Sequence, residues 1–300
     1  MVTSLPTEPY SVIAFDIETY HTVDGNIIKA LRAEALGKRP ARNLARDLKA
    51  VWDTENGRAA RMDEAVSKTA VDVLLAEPIL VEWRGSRDGL HFLDDDSNHY
   101  LVSNVYDKAH RAVAADAMSA QLHEVSDSDT VWAGHNCSSF DLKVLLNAWA
   151  RHDVVPPASF PQWTGRYWHG RVFDTMLRCP CSHGLGMVSL DNACRAFGIR
   201  VDDVMFDGDP MDGSRVEELY DQMLDGQTPP ETLLNYCRKD VEQLASLYNK
   251  LTFGGRWGVY PDKTEMLETI AEIKGNKSLT PEIQSYLVLQ TLRAHGEVHV

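Results

Sequence analysis

The sequence predicts an α/β domain in which strands and helices alternate, with a helical insertion after the first strand. Three observations carry this. Residues 11–17 (SVIAFDI) form a short apolar run with β-branched residues, the mark of a buried strand. From residue 79 onward, strand-like runs alternate with stretches of helical periodicity. Between the two, residues 26–75 are rich in Ala, Arg, Leu and Glu and contain no good strand.

The elements follow in order. Residues 79–94 (ILVEWRGSRDGLHFLD) read as a hairpin, two β-rich runs around Ser86-Arg87-Asp88-Gly89. A helix is expected over 107–122, and a strand over 130–134 (TVWAG). Residues 139–151 (SFDLKVLLNAWAR) have apolar positions at 142, 145, 146 and 149, one face of an amphipathic helix. A further strand is expected at 171–177, and a short helix at 189–197 between the N-cap Ser189 and the terminator Gly198. Residues 231–250 form a longer helix, and 264–274 and 281–294 two more. The expected organisation is one domain over 1–255 and a helical extension over 256–300 packed on it. The run Asp94-Asp95-Asp96 reads as a solvated turn.

Three acidic signatures fall on these elements: Asp16-Ile17-Glu18, Asn136 to Asp141 (NCSSFD) and Tyr236 to Asp240 (YCRKD). Strand residues i and i+2 point the same way, so Asp16 and Glu18, expected at the strand's C-terminal end, project together from the edge of the sheet. Asp141 falls in the first turn of a helix, where an acid also suits the macrodipole. Tyr236 and Asp240 share one helix face, a turn apart. Four carboxylates and a phenol suit two divalent metals, Mg²⁺ or Mn²⁺, about 3.5–4 Å apart. Asp16 is the expected bridge between them. Glu18 and Asp240 would complete the nucleophile-side metal, and Asp141 would hold the leaving-group metal. A tyrosine with a pKa near 10 is a poor base at neutral pH, so Tyr236 is expected to orient the attacking water.

Composition sets the surroundings. The 300 residues are 44% hydrophobic and 25% charged, ordinary for a soluble protein, and no apolar run approaches a membrane span. The first residues lack a basic start followed by an apolar stretch, so no secretory signal is expected. The odd count of five cysteines points to a reducing, cytoplasmic setting. A net charge of −14 argues against a passive nucleic-acid binder. It argues less against an enzyme whose cations draw a phosphate to the acidic cluster.

The order DIET, NCSSFD, YCRKD resembles the DEDD superfamily of 3′–5′ exonucleases in its tyrosine branch, and most of all the proofreading exonuclease domain of family B DNA polymerases. The resemblance runs from about residue 11 to 250. It includes Gly134-His135-Asn136 at the second motif and Asn235, where a sister branch has histidine. It implies a ribonuclease H-like fold, a mixed central sheet flanked by helices, and release of nucleoside monophosphates from a single-stranded 3′ end. It implies Asp16, Glu18, Asp141 and Asp240 as metal ligands and Tyr236 as the water-positioning residue. Asn136 and Phe140 would seat the terminal nucleotide, with Thr19 of the first motif a further substrate contact. DNA is the expected polymer, RNA the alternative, and an inactive nucleic-acid-binding module the rival of another class. An endonuclease of ribonuclease H type would lack the Tyr-x-x-x-Asp pair. About 60 residues follow Asp240 and hold no polymerase motif, so proofreading would occur in trans, with a polymerase or replication partner.

Two segments could guide the strand. Arg42, Arg46 and Lys49 in the insertion, with Arg39 before them, would form one basic face able to track a phosphate backbone. Residues 160–171 (FPQWTGRYWHGR) interleave Trp163, Tyr167 and Trp168 with Arg166 and Arg171, a combination that stacks bases and meets phosphates. Cys179-x-Cys181-x-His183 lacks an obvious fourth ligand and reads as ordinary thiols rather than a zinc site.

Overall fold

A computed structural model describes residues 9–38, 52, 54–89, 91–92, 97–161, 171–179, 188–252, 270–271, 274–275, 284–285 and 288. The frame is β1 (Val12–Tyr20). It pairs antiparallel with β2 (Glu77–Ser86), which pairs antiparallel with β3 (Ser97–Leu101). On its other side β1 runs parallel to β4 (Val131–Gly134), and β4 runs parallel to β5 (Val172–Asp174). The sheet is therefore mixed, with order β3-β2-β1-β4-β5.

Alternation along β1 sorts its side chains onto two helix layers. Ile13, Phe15 and Ile17 enter a core with Trp132, with Met118 and Leu122 of α3 (Lys108–Val125), and with Leu145 and Trp149 of α4 (Asp141–Arg151). Phe15, Trp132, Phe160 and Trp149 meet in edge-to-face contacts with centroids 4.8–5.7 Å apart, the geometry aromatic quadrupoles favour. Two of the buried indole donors are satisfied: Trp132 Nε1 reaches Ser159 O at 3.2 Å and Trp149 Nε1 reaches Ala115 O at 3.0 Å.

The opposite face lies under α8 (Pro230–Leu251), which starts with proline in its first turn. Val12 packs with Leu247, Tyr248 and Leu251, and Ala14 with Val241 and Leu244. Two ion pairs fix α8 over β2. Arg238 Nε lies 3.0 Å from Glu82, which is fully buried, and Arg84 lies 2.8 Å from Glu242.

Among the described residues, the insertion holds two helices, α1 (Gly25–Gly37) capped by Asp24 and α2 (Glu55–Ser67) capped by Thr54. A 3-10 turn at Lys68–Val71 returns it to the sheet. There Thr69 Oγ1 accepts the Thr22 amide at 2.7 Å, and the Thr19 hydroxyl donates to the Ala70 carbonyl at 2.7 Å.

Three expectations need correction. The partner arm of the β2 hairpin is β3 at Ser97–Leu101, not residues 90–94; Phe92 packs instead on Tyr248, with ring centroids 5.9 Å apart. The strand expected over 171–177 stops at Asp174. The Asp174 side chain caps the amides of Met176 and Leu177, and helix α5 (Thr175–Arg178) begins at once. Asp16 and Glu18 are not at the end of β1, which continues to Tyr20. The sequence also gave no sign of a small ribbon, β6 (Met205–Phe206) with β7 (Asp209–Pro210), or of α7 (Val216–Leu224). The short α6 (Leu190–Ala196) is capped by Ser189 as expected. The described residues of 270–288 are helical.

Candidate active site

The parallel neighbour of β1 runs out early. Pairing with β4 covers Val12, Ala14 and the residue between them, and stops there. Beyond Ala14, β1 has no strand on that side, and the start of α4 fills the gap: the Asp141 carboxylate accepts the Ile17 amide. A backbone donor the sheet would leave open is thus used to seat an acid. On the β2 side, the register shifts between Glu18 and Thr19. Such a bulge re-aims side chains and recurs beside active sites.

Asp16 and Glu18 continue the face of β1 that carries Val12 and Ala14, so they point toward α8. Glu18 is only 8% exposed, and Asp16 is half-buried. A carboxylate oxygen of each and Cys237 Sγ all lie within 4.8 Å of one another. Asp141, 5% exposed, and Asp240 border this group closely enough for their charges to act on it.

The electrostatics are those of a crowded acidic pocket. Burial, then the charges of Glu18, Asp141 and Asp240, push Asp16 well above the usual carboxylate range. Burial, then Asp240 and Asp141, do the same to Glu18. Burial pushes Asp141 and Asp240 up to about 7. Backbone amides, including that of Ile17, offset part of the rise at Asp141, and Lys239 part of it at Asp240. Tyr236 is 8% exposed; burial and the charges of Glu18, Asp240 and Asp16 hold its phenol protonated. Like charges this close repel, and a divalent cation relieves the repulsion. The four carboxylates offer hard oxygens, which fit Mg²⁺ or Mn²⁺.

The second motif is braced from below. Asn136 adopts φ 62°, a conformation asparagine tolerates better than most residues. Gly134 is required here, because a Cβ would sit 2.4 Å from Cys137 Cβ. Asp174, 2% exposed, accepts the amides of Asn136 and Ser138, each at 3.0 Å. His135 is pinned between Thr175 Oγ1 at 3.0 Å and Val188 O at 2.7 Å. The buried Oδ1 of Asn136 has no hydrogen-bond partner among the described residues. Phe140 packs at the margin of the aromatic core. Sequence reasoning missed Asp174, although an acid straight after a short apolar run and before TMLR is the pattern of a helix cap.

The structure thus gathers Asp16, Glu18, Asp141, Tyr236 and Asp240, with Asn136 and Phe140 on the loop that delivers Asp141. Thr19 lies next to the group, its hydroxyl engaged by the insertion. Arg42, Arg46, Lys49 and Arg39 lie outside the described residues, as do Trp163, Arg166, Tyr167, Trp168, Cys181, His183 and Asp94 to Asp96. Cys179 is fully buried. No helix among the described residues is long and apolar enough to cross a membrane.

Residues 88–252, more than half of the chain, match the family model described as the RNase_H superfamily. The chain belongs to that superfamily and carries a ribonuclease H-like nuclease domain, a fold that implies nucleic-acid binding. The matched span includes Asp141, Tyr236 and Asp240 and begins after Asp16 and Glu18. No curated protein and no solved structure matches the chain.

Proposed function

We propose that this member of the RNase_H superfamily is a metal-dependent 3′–5′ exonuclease that releases nucleoside monophosphates from single-stranded DNA ends. The observation that carries the reading is the meeting of four carboxylates from three separate elements, with a phenol one helical turn from one of them. Asp16 and Glu18 come from β1, Asp141 from the start of α4, and Asp240 with Tyr236 from α8.

Asp16, Glu18, Asp141 and Asp240 would hold two divalent cations, Mg²⁺ or Mn²⁺, with Asp16 shared between them. When bound, these cations neutralise the scissile phosphate and lower the pKa of the attacking water. The protein supplies the rest. Tyr236, kept protonated by burial and by its acidic neighbours, donates a hydrogen bond that aims the attacking water at phosphorus. Asn136, with a buried oxygen free of partners among the described residues, and Phe140 offer a polar and an apolar contact to the terminal nucleotide. Thr19 would contribute beside them, and Arg42, Arg46, Lys49 and Trp168 would guide the strand. The domain is taken as residues 1–255 with its insertion at about 26–75, and 256–300 as an extension packed on it. A polymerase acting in trans is the proposed partner.

The test uses 5′-labelled single-stranded DNA and RNA of one sequence, with Mg²⁺ or Mn²⁺ and then with chelator. The expected result is a ladder shortening from the 3′ end of DNA, lost with chelator and in Asp16→Ala. A ladder on RNA alone would transfer the proposal to an exoribonuclease. Binding without any metal-dependent release of mononucleotides would leave a binding module.

A further inference from the structure

Cys237 is a member of the tight acidic group that the hydrolytic reading does not use. It is fully buried on α8, between Tyr236 and Arg238. Its thiol donates to Asp16 Oδ2 at 3.7 Å and lies 3.9 Å from the Asp16 carbonyl oxygen. Among the described residues, Asp16, Glu18 and Cys237 are the three whose ligand atoms fall within 4.8 Å of one another. Glu18 adds an independent pointer to a ligand. It is more than nine-tenths buried, its carboxylate has no hydrogen bond among the described residues, and it is aimed into this group.

Geometry and donor type single out a particular cation class. Bond lengths of about 2.3 Å to sulfur and about 2.0–2.2 Å to oxygen put sulfur and oxygen roughly 3.5 Å apart in a tetrahedral site. The sulfur of Cys237 already stands 3.7 Å from Asp16 Oδ2. Hard Mg²⁺ has no use for a thiolate, whereas Zn²⁺ and Co²⁺ accept sulfur and oxygen together.

We infer that the pocket has a second binding mode in which a thiophilic divalent cation, Zn²⁺ above all, is held by Asp16, Glu18 and Cys237 and shuts off hydrolysis. This rests on the reading of Asp16 and Glu18 as metal ligands. On binding, the S–H bond of Cys237 breaks, its proton passes to solvent, and a sulfur–metal bond forms with no change of oxidation state. The cation is drawn to the buried floor beneath Asp16. Asp16 is then no longer available to share two cations with Glu18, Asp141 and Asp240. The site becomes a sensor of free zinc as well as a hydrolytic centre.

The experiment adds Co²⁺ to the full-length, metal-free protein and records the thiolate-to-cobalt charge-transfer absorption, which needs no catalysis. Wild type should show the band, and so should Cys194→Ser, which alters another buried thiol. Cys237→Ser and Cys237→Ala should lose it, and Asp16→Asn, which leaves the thiol and core in place, should weaken cobalt binding by more than about tenfold. The Zn²⁺ concentration that halves Mg²⁺-supported activity, measured against each variant's own activity, should rise more than about tenfold in Cys237→Ser. No band in wild type while calorimetry shows Co²⁺ bound, or a band that survives in both Cys237 variants, would overturn the inference. Mg²⁺-dependent release of mononucleotides without a band leaves the hydrolytic reading standing alone. A band without hydrolysis under any cation leaves the thiol site and removes the nuclease.

Discussion

The two faces of β1 differ more than any other two regions of the molecule. Odd residues Ile13, Phe15 and Ile17 enter a buried aromatic core, while even residues pass from Val12 and Ala14 to Asp16 and Glu18. One face gains from every contact it makes. The other continues a packed surface for two residues and then places two acids under α8, where burial and mutual charge oppose their ionisation. The contrast teaches how the fold carries an unfavourable cluster. The aromatic face holds β1 rigid, the two ion pairs hold α8 over β2, and the repulsion is contained rather than relaxed.

Substitutions on the two faces should separate stability from activity. Asp16→Asn removes an ionisable group from the crowd. It should lower nuclease activity on the order of a thousandfold or more and raise the melting temperature of the metal-free protein. A variant that loses activity and also melts earlier would show that the acids support the fold. Tyr236→Phe should cut kcat about a hundredfold with little change in metal affinity, as expected of a group that only aims the water. An equal loss of metal affinity would make the phenol part of the ligand shell. On the other face, Trp132→Ala should cost about 3–5 kcal/mol in a denaturant titration, the usual result of emptying an aromatic core position. A loss below 1 kcal/mol would mean the core can collapse around the hole.

The pH dependence gives the gentlest probe. Carboxylates in the unfolded chain ionise near pH 4. In the fold, Asp16 and Glu18 are raised well above that, and Asp141 and Asp240 to about 7. Below the unfolded values all forms are protonated and the stability they contribute is fully present. As pH rises through the folded values that stability is lost. The melting temperature of metal-free protein should therefore fall between about pH 5 and 8, and Mg²⁺ should flatten the fall. A rise across the same window would contradict the cluster's electrostatics.

Much of this was legible in the sequence because it depends on local periodicity. Alternation along SVIAFDIE puts Asp16 and Glu18 on one face, and the i, i+4 spacing of Tyr236 and Asp240 puts both on one side of α8. What escaped depends on partners far away in the chain. Nothing near Asp141 announces that Ile17 lends it an amide, because that requires β4 to stop short. Asp174 escaped because its bonds to Asn136 and Ser138 cross 38 and 36 residues. The hairpin was misplaced because Phe92 has the composition of a strand residue, yet packs on Tyr248.

The claim that Asp16, Glu18, Asp141 and Asp240 act as one metal-binding unit is tested most directly by titrating metal-free protein with Mn²⁺ and following the free ion by electron paramagnetic resonance. Wild type should take up two ions in the presence of a nucleoside monophosphate. Asp16→Asn, Asp141→Asn and Asp240→Asn should each lose at least one ion while keeping their fold. Uptake unchanged across the three variants would contradict the account.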